Sequence, residues 1–262
     1  LEADTGFRPG KDDWQMPNDG TYLVPNGHCA GMCLGAMWFW EKDGAQGKNA
    51  HLYGRYDNDD SGRATPWLWK DDRLAIRLCT AAQEDFQWIH YQTMACDKLA
   101  EVSPKLVWWA ACHALLVSKE PQFLCLERAA TRPNGISHAV LVYQVAGGKM
   151  YIADPNFPGQ TRTISYVNGQ FTPYFSAENA EKARREGVKP FDWIGYFGKT
   201  AIVRWEKLDN RWTQLKSDLQ NDTVTVGDDL FNRWEVVHLP SRGHEIKTIT
   251  GRPKKGKWTL DL

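Results

Sequence analysis

From Cys29 to about Lys42 the chain reads Cys-Ala-Gly-Met-Cys-Leu-Gly-Ala-Met-Trp-Phe-Trp-Glu-Lys, with no charge before Glu41. A run that is apolar on every side predicts a helix buried all round rather than one lying on a surface. The rest of the chain must therefore wrap it. A second helix is predicted over 104–118, where Ser103 supplies an N-cap and Pro104 the first helical position. Between them, roughly 71–101 carries helical periodicity through Leu74, Ile76, Leu78, Phe86, Ile89, Met94 and Leu99. After residue 120 the texture changes. Strands are expected at 122–126, 138–145, 150–153, 160–167 and 200–205, with Gly147-Gly148 as a hairpin turn. A short helix over 176–186, capped by Ser176, interrupts them. Alternating pieces such as 223–226 and 234–238 make 207–262 a small β extension. Helices first and antiparallel strands second define an α+β chain, with a cleft expected between the two parts.

Size and charge narrow the function. At 262 residues and 29.9 kDa the chain can bury one sizeable core. Lys plus Arg equals Asp plus Glu at 32 each, so no global field recruits nucleic acid or an anionic membrane. The basic tail 252–257 is short enough to be a solvated terminus. No apolar run is long enough to cross a bilayer, so no membrane insertion is expected. The first 28 residues, rich in Gly, Pro, Asp and Asn, predict an irregular arm of tight turns. Leu1-Glu2 in place of an initiator Met reads as a processing boundary. The 13 tryptophans, including Trp38, Trp40, Trp108 and Trp109, are expected in core packing.

Chemistry is concentrated at three points. Asn26-Gly27-His28-Cys29 breaks the chain immediately before the apolar helix, Ser137-His138-Ala139-Val140 opens a strand, and Ala153-Asp154-Pro155-Asn156 closes the next. A helix N-terminus and a neighbouring imidazolium both favour a thiolate over a thiol. Across the Gly147-Gly148 turn the second strand returns antiparallel, so Asp154 can reach the far nitrogen of His138 and fix its tautomer. Attacker, base and orienter thus stand in workable order: Cys29, His138, Asp154. Cys33, one turn further into the apolar helix, is expected to be an inert core thiol. The backbone N–H at Cys29 and the side chain of Asn26 are candidate oxyanion donors. His28 could shape the turn or tune the thiolate.

Ser137-His138-Ala139-Val140 resembles the histidine strand of papain-like cysteine peptidases. The helix start Cys29-Ala30-Gly31-Met32-Cys33-Leu34-Gly35-Ala36-Met37 and the Asp154-Pro155 pair resemble the double-glycine leader peptidases of bacteriocin exporters. The likeness covers roughly residues 20–205 through three short motifs. It implies a two-lobed catalytic domain over 1–206, with a helical lobe at about 29–120 packed on a β lobe at about 121–206. It also implies Cys29 as nucleophile, His138 as base and Asp154 as orienter. These families place a Gln about six residues before the nucleophile, where this chain has Leu23, so Asn26 or Gln15 would have to substitute as oxyanion donor. Papain's Asn orienter and Ser-Trp-Gly run are absent.

The expectation is a cysteine peptidase acting on peptide or protein substrates without cofactor or metal. The alternatives are a transglutaminase-like acyltransferase, or a silent binding module for peptide or glycan. Likeness to bacterial enzymes and the processed start favour an extracytoplasmic location. Two other signals read as structural. Asp57-Asn58-Asp59-Asp60-Ser61-Gly62 begins like a calcium loop but ends on Leu68 instead of the required Glu. Cys29 and Cys33 lack the second ligand pair of a zinc site. Asp192, Trp193, Tyr196, Tyr166 and Tyr174 are candidate cleft residues.

Overall fold

The apolar run folds as helix α1, Cys29–Phe39, with every residue after Cys29 buried, and it runs out in a single π-helical turn at Trp40–Gly44. The computed structural model describes residues 1–16, 18–21, 24–44, 51–55, 73–85, 102–128, 137–199 and 205–220. Helix α2, Arg73–Asp85, lies along α1. Gly31 is what allows the contact, because a β-carbon there would run into the Cys79 carbonyl. On another side Gly35 meets the indole of Trp14, whose Nε1–H donates to the Met32 carbonyl at 2.9 Å. The arm before the helix is turn-rich, as its composition implies, yet it is anchored. Phe7, Trp14 and Met16 are buried, and Ala3–Asp4 forms a short strand, β1.

Helix α3, Pro104–Ser118, begins at the Ser103 cap read from the sequence and stops where Lys119 turns left-handed. The strands follow: β2 Gln122–Glu127, β3 Ser137–Ala146, β4 Lys149–Ala153, β5 Thr161–Val167, β6 Gln170–Phe171 and β7 Trp193–Phe197. They pair antiparallel in the order β6-β5-β4-β3-β2-β7, with β1 continuing along β3 beyond the end of β2. Gly147 and Gly148, at φ 56° and 72°, make the two-residue turn between β3 and β4; such a turn requires positive φ at both positions. Residues alternate across the sheet. Leu124, Leu126, Val140, Val142, Ile152 and Ile164 share a core with Trp108, Ala111 and Leu115 of α3. Trp108 stacks on Tyr166 at 4.7 Å, whereas Trp109 stands 41% exposed on the outer side of the helix.

The chain is α+β with an antiparallel sheet, as its texture implies. It divides into two compact units, 1–212 and 213–262. Two expectations need correcting. Residues 205–220 form a helix, α5 (Trp205–Gln220), where a strand ending at 205 and a β extension from 207 were expected. The apolar residues Trp205, Leu208, Trp212, Leu215 and Leu219 recur at helical spacing, and that period outweighs the strand-like pieces further on. The helix expected from Ser176 begins instead at Ala180, as α4 (Ala180–Arg185), with Asn179 as its cap. Of the candidate cleft residues, Trp193 and Tyr196 lie in β7, Tyr166 in β5, and Asp192 and Tyr174 in the irregular segments before β7 and after β6. The acidic loop at 57–68, the periodic segment beyond residue 85, and 221–262 lie outside the described residues. No helix among the described residues is long and apolar enough to cross a membrane.

Candidate active site

Three elements converge on one thiol. Helix α1 presents Cys29 at its first position, where the uncompensated N–H groups of the first turn leave positive partial charge. Strand β3 presents His138 one residue in from its start. The chain leaving β4 presents Asp154, brought alongside by the hairpin register Leu141↔Ala153 and Val142↔Ile152. His138 Nε2 and Asp154 Oδ1 are 2.6 Å apart, in a setting where His138 is 5% exposed and the Asp154 side chain 0%. That leaves Nδ1 of His138 for Cys29, whose side chain it hydrogen-bonds, while Cys29 itself remains partly open to solvent.

The electrostatics follow from this geometry. Burial works to raise the Cys29 thiol pKa, but the bond and charge of His138 and the N–H groups of Ala139 and Ala30 outweigh it, and the thiol lies below its ordinary range. Burial would likewise disfavour a charged His138; the adjoining Asp154 carboxylate and then Cys29 reverse that and hold the imidazole well above its ordinary range. Asp154 is desolvated too, yet His138, the Tyr174 hydroxyl and the Asn156 N–H hold its carboxyl below the usual value. Cys33 goes the other way. It is buried beside Cys29, Asp154 and Cys79, and its thiol is pushed far up, so it stays protonated. Cys29, Cys33, Cys79, Cys112 and Cys125 are all unbridged.

Several supporting residues carry no signature in the sequence. Asp154 accepts four hydrogen bonds: from His138 and the Asn156 N–H on Oδ1, and from the Tyr174 hydroxyl at 2.6 Å and the Ser176 hydroxyl at 2.9 Å on Oδ2. Ser176 was read as a helix cap; its hydroxyl is spent here instead. Tyr174 pairs with Phe191 through two 2.8 Å backbone bonds, and the Phe191 ring stacks on His138 with centroids 5.7 Å apart. One isolated bridge thus places a donor on the acid and an apolar cover on the base. Arg162 braces the same loop by donating to the Phe175 and Ala177 carbonyls. Asp13 ties the N-terminal arm to the far side of the Asp154 loop, accepting from the N–H groups of Gly10 and Gly159. Burial pushes its carboxyl up to about 6.

The remaining sequence candidates fall out as follows. Asn26 is exposed on the turn before the helix, and its side chain makes no hydrogen bond among the described residues. Gln15 is buried, with its carboxamide oxygen against Gly54. His28 is fully buried at the cap position of α1, and its backbone N–H donates to Asn18 of the arm. Among the described residues no group of His, Cys, Asp and Glu is placed to hold a metal ion.

Tyr174→Phe keeps the ring and the bridge to Phe191 and removes one donor from a buried carboxylate. It is expected to cost about 1.5–3 kcal/mol in denaturant unfolding at neutral pH, the usual range for a bond to a charged group. Asp154 contributes stability that is present above about pH 3.8 and is lost as pH falls through its lowered folded value. Losing a donor brings that value back up, so the acid-unfolding midpoint of Tyr174→Phe should move to higher pH.

Comparison of the chain with known protein families, with curated proteins and with solved structures returns no match.

Proposed function

We propose that the protein is a cysteine peptidase or close amidase that works through a thioester acyl-enzyme. One observation carries the reading: a thiol at a helix N-terminus hydrogen-bonded to an imidazole whose other nitrogen lies 2.6 Å from a buried, fully hydrogen-bonded carboxylate. A merely structural cysteine would have no use for that arrangement, and its buried neighbour Cys33 illustrates the inert case.

In this reading the Cys29 thiolate attacks a peptide carbonyl, and the carbonyl π pair moves onto oxygen. The His138 imidazolium gives its Nδ1 proton to the leaving amine nitrogen as the C–N bond breaks, which leaves a thioester. Water then attacks the thioester, His138 takes its proton, and the acid is released with Cys29 regenerated. Asp154 keeps the imidazole oriented and stabilises its charged form throughout. The α1–α2 pair and the antiparallel sheet would be the two lobes of a papain-like fold, and the substrate a peptide or protein met outside the cytoplasm.

The test is the pH dependence of alkylation by trace iodoacetamide, read cysteine by cysteine from a peptide map. Because the Cys29 pKa is lowered, its labelling should rise and level off at lower pH than that of every other cysteine, and His138→Ala should slow it. Uniform slow labelling with a midpoint near the free-thiol value of about 8.5 would overturn the reading.

A further inference from the structure

Attack of a thiolate on a carbonyl places negative charge on an oxygen, and that oxygen needs donors fixed in advance at about 2.7–3.1 Å. The first turn of α1 accounts for its own N–H groups almost completely. The Ala30 N–H helps to hold down the Cys29 thiol pKa, the Gly31 N–H goes to Gln83 Oε1 at 2.9 Å, and the Met32 N–H to the His28 carbonyl at 2.8 Å. The Cys29 N–H has no acceptor among the described residues. It sits on the reacting residue itself and provides one donor.

The second donor is expected to be a side chain next to that N–H. Asn18 is the carboxamide found there. Its Oδ1 accepts the N–H of His28, the residue immediately before Cys29, at 2.7 Å. A backbone N–H can only donate, so this bond also settles which end of the amide is oxygen. Asn18 Nδ2 donates to Asn156 Oδ1 at 2.8 Å, and Asn156 Nδ2 in turn donates to Ser176 Oγ, which is bonded to Asp154. Gly27 makes room, since a β-carbon there would stand 3.0–3.3 Å from the carboxamide. Asn18 is therefore pinned at both ends, between the nucleophile's loop and the acid's loop. A carboxamide carries two N–H bonds, and the second one on Nδ2 has no acceptor among the described residues. The residue is only partly buried, as a group that meets substrate must be.

We infer that Asn18 is the side-chain donor of the oxyanion hole and acts together with the backbone N–H of Cys29. This rests on the thiol acyl chemistry proposed above.

Two reagents separate the effect without knowledge of the substrate. p-Nitrophenyl acetate acylates the thiolate: an S–C bond forms, the carbonyl pair moves onto oxygen and returns, and p-nitrophenolate leaves. Iodoacetamide alkylates the same thiolate by displacing iodide, with no oxyanion. Both rates scale with the thiolate present, so their ratio reports oxyanion stabilisation alone. Asn18→Ala and Asn18→Asp are expected to lower Cys29 acylation about 10²-fold with alkylation nearly unchanged. Asn18→Asp keeps the acceptor for His28 but brings a charge that itself repels an oxyanion and Asn156 Oδ1. A lost donor is therefore read from the uncharged Asn18→Ala showing the same drop, with an unchanged urea midpoint guarding against a collapsed loop. An unchanged ratio in Asn18→Ala would overturn the inference and leave the thiol chemistry standing. Wild-type Cys29 that reacts selectively with neither reagent would overturn the proposed function and the inference with it.

Discussion

For the proposed cysteine peptidase, replacing Cys29 with alanine should abolish peptide hydrolysis, with kcat falling on the order of 10⁵-fold, while the folded protein unfolds at nearly the same denaturant concentration. The activity loss follows because no other group near the site can take the role. Cys33 is the nearest thiol, but burial and the negative charges of Cys29 and Asp154 keep it protonated. The stability should hardly change because Cys29 is only partly buried and begins the helix rather than filling its core. Cys33→Ala provides the opposite pattern. It deletes a sulfur that is 1% exposed, so it should cost stability and leave most of the activity. The pair is measured by turnover of a peptide mixture followed by mass spectrometry, beside urea unfolding. A Cys29→Ala protein that still cleaves peptides, or a Cys33→Ala protein that folds but does not, would assign the nucleophile elsewhere.

What could be read in the chain, and what could not, divides along a physical line. The buried helix was legible because eleven residues without a charge leave a helix nowhere to go but inside. The Ser103–Pro104 start was legible because its capping chemistry is local. Gly147-Gly148 announces a turn that almost no other dipeptide tolerates, and the turn alone carries Asp154 back toward His138. The convergence of Cys29, His138 and Asp154 was legible because each sits at the end of an element whose end is written locally. Their supports were not. Tyr174, Ser176 and Phe191 matter only through an isolated bridge between two irregular segments, and nothing in their spacing encodes it. Asn18 lies eleven residues before Cys29 in the chain and meets the N–H of the preceding residue, His28, across a turn with Gly27 packed against its carboxamide. Ser176 shows how a local rule misleads. Its position suits a helix cap, but a buried carboxylate offers a stronger bond and takes the hydroxyl, and the helix starts later on Asn179. For α5 the misreading was one of period, since residues read as an alternating extension carry apolar positions at helical spacing.

That contrast also explains why the site needs so much machinery behind it. A thiolate–imidazolium pair next to a sheet core is costly to desolvate, and burial opposes the charged form at all three members of the triad. The helix end, the two N–H groups on sulfur and the four donors on Asp154 offset that cost. The charge is thereby held in one geometry, and Phe191 keeps water off the imidazole face.

Asp154 is where these contributions meet, and Asp154→Ala should be the most damaging single change to the fold and the site together. It strips the acceptor from His138, from the Tyr174 and Ser176 hydroxyls and from the Asn156 N–H at once, and its own side chain has no exposed surface. Removing one member of a buried charge pair typically costs about 3–5 kcal/mol, and the stranded donors add to it. The more informative variant is Asp154→Asn, which keeps the volume. Its carboxamide can still accept on one side, but on the other it presents N–H₂ to groups that are themselves donors. Either His138 Nε2 or the Tyr174 and Ser176 hydroxyls lose their acceptor. If the lost acceptor is that of His138, the ring turns to the wrong tautomer, and kcat should fall about 10⁴-fold as for an orienting carboxylate elsewhere. The sign of the pH effect can be fixed in advance. The folded His138 value is raised mainly by Asp154, so the stability from their pairing is complete below the unfolded histidine value of about 6.5 and is lost as pH rises through the higher folded value. From the Asp154 side it is present above about 3.8 and is lost as pH falls through a still lower value. The stability difference between wild type and Asp154→Asn should therefore be widest from about pH 4 to 6.5 and narrow on both sides. Urea unfolding across that range measures it, and iodoacetamide labelling of the same variant should show the Cys29 midpoint moving up toward the free-thiol value. A flat stability difference with pH, together with an unmoved Cys29 midpoint, would mean that Asp154 holds a loop rather than a charge.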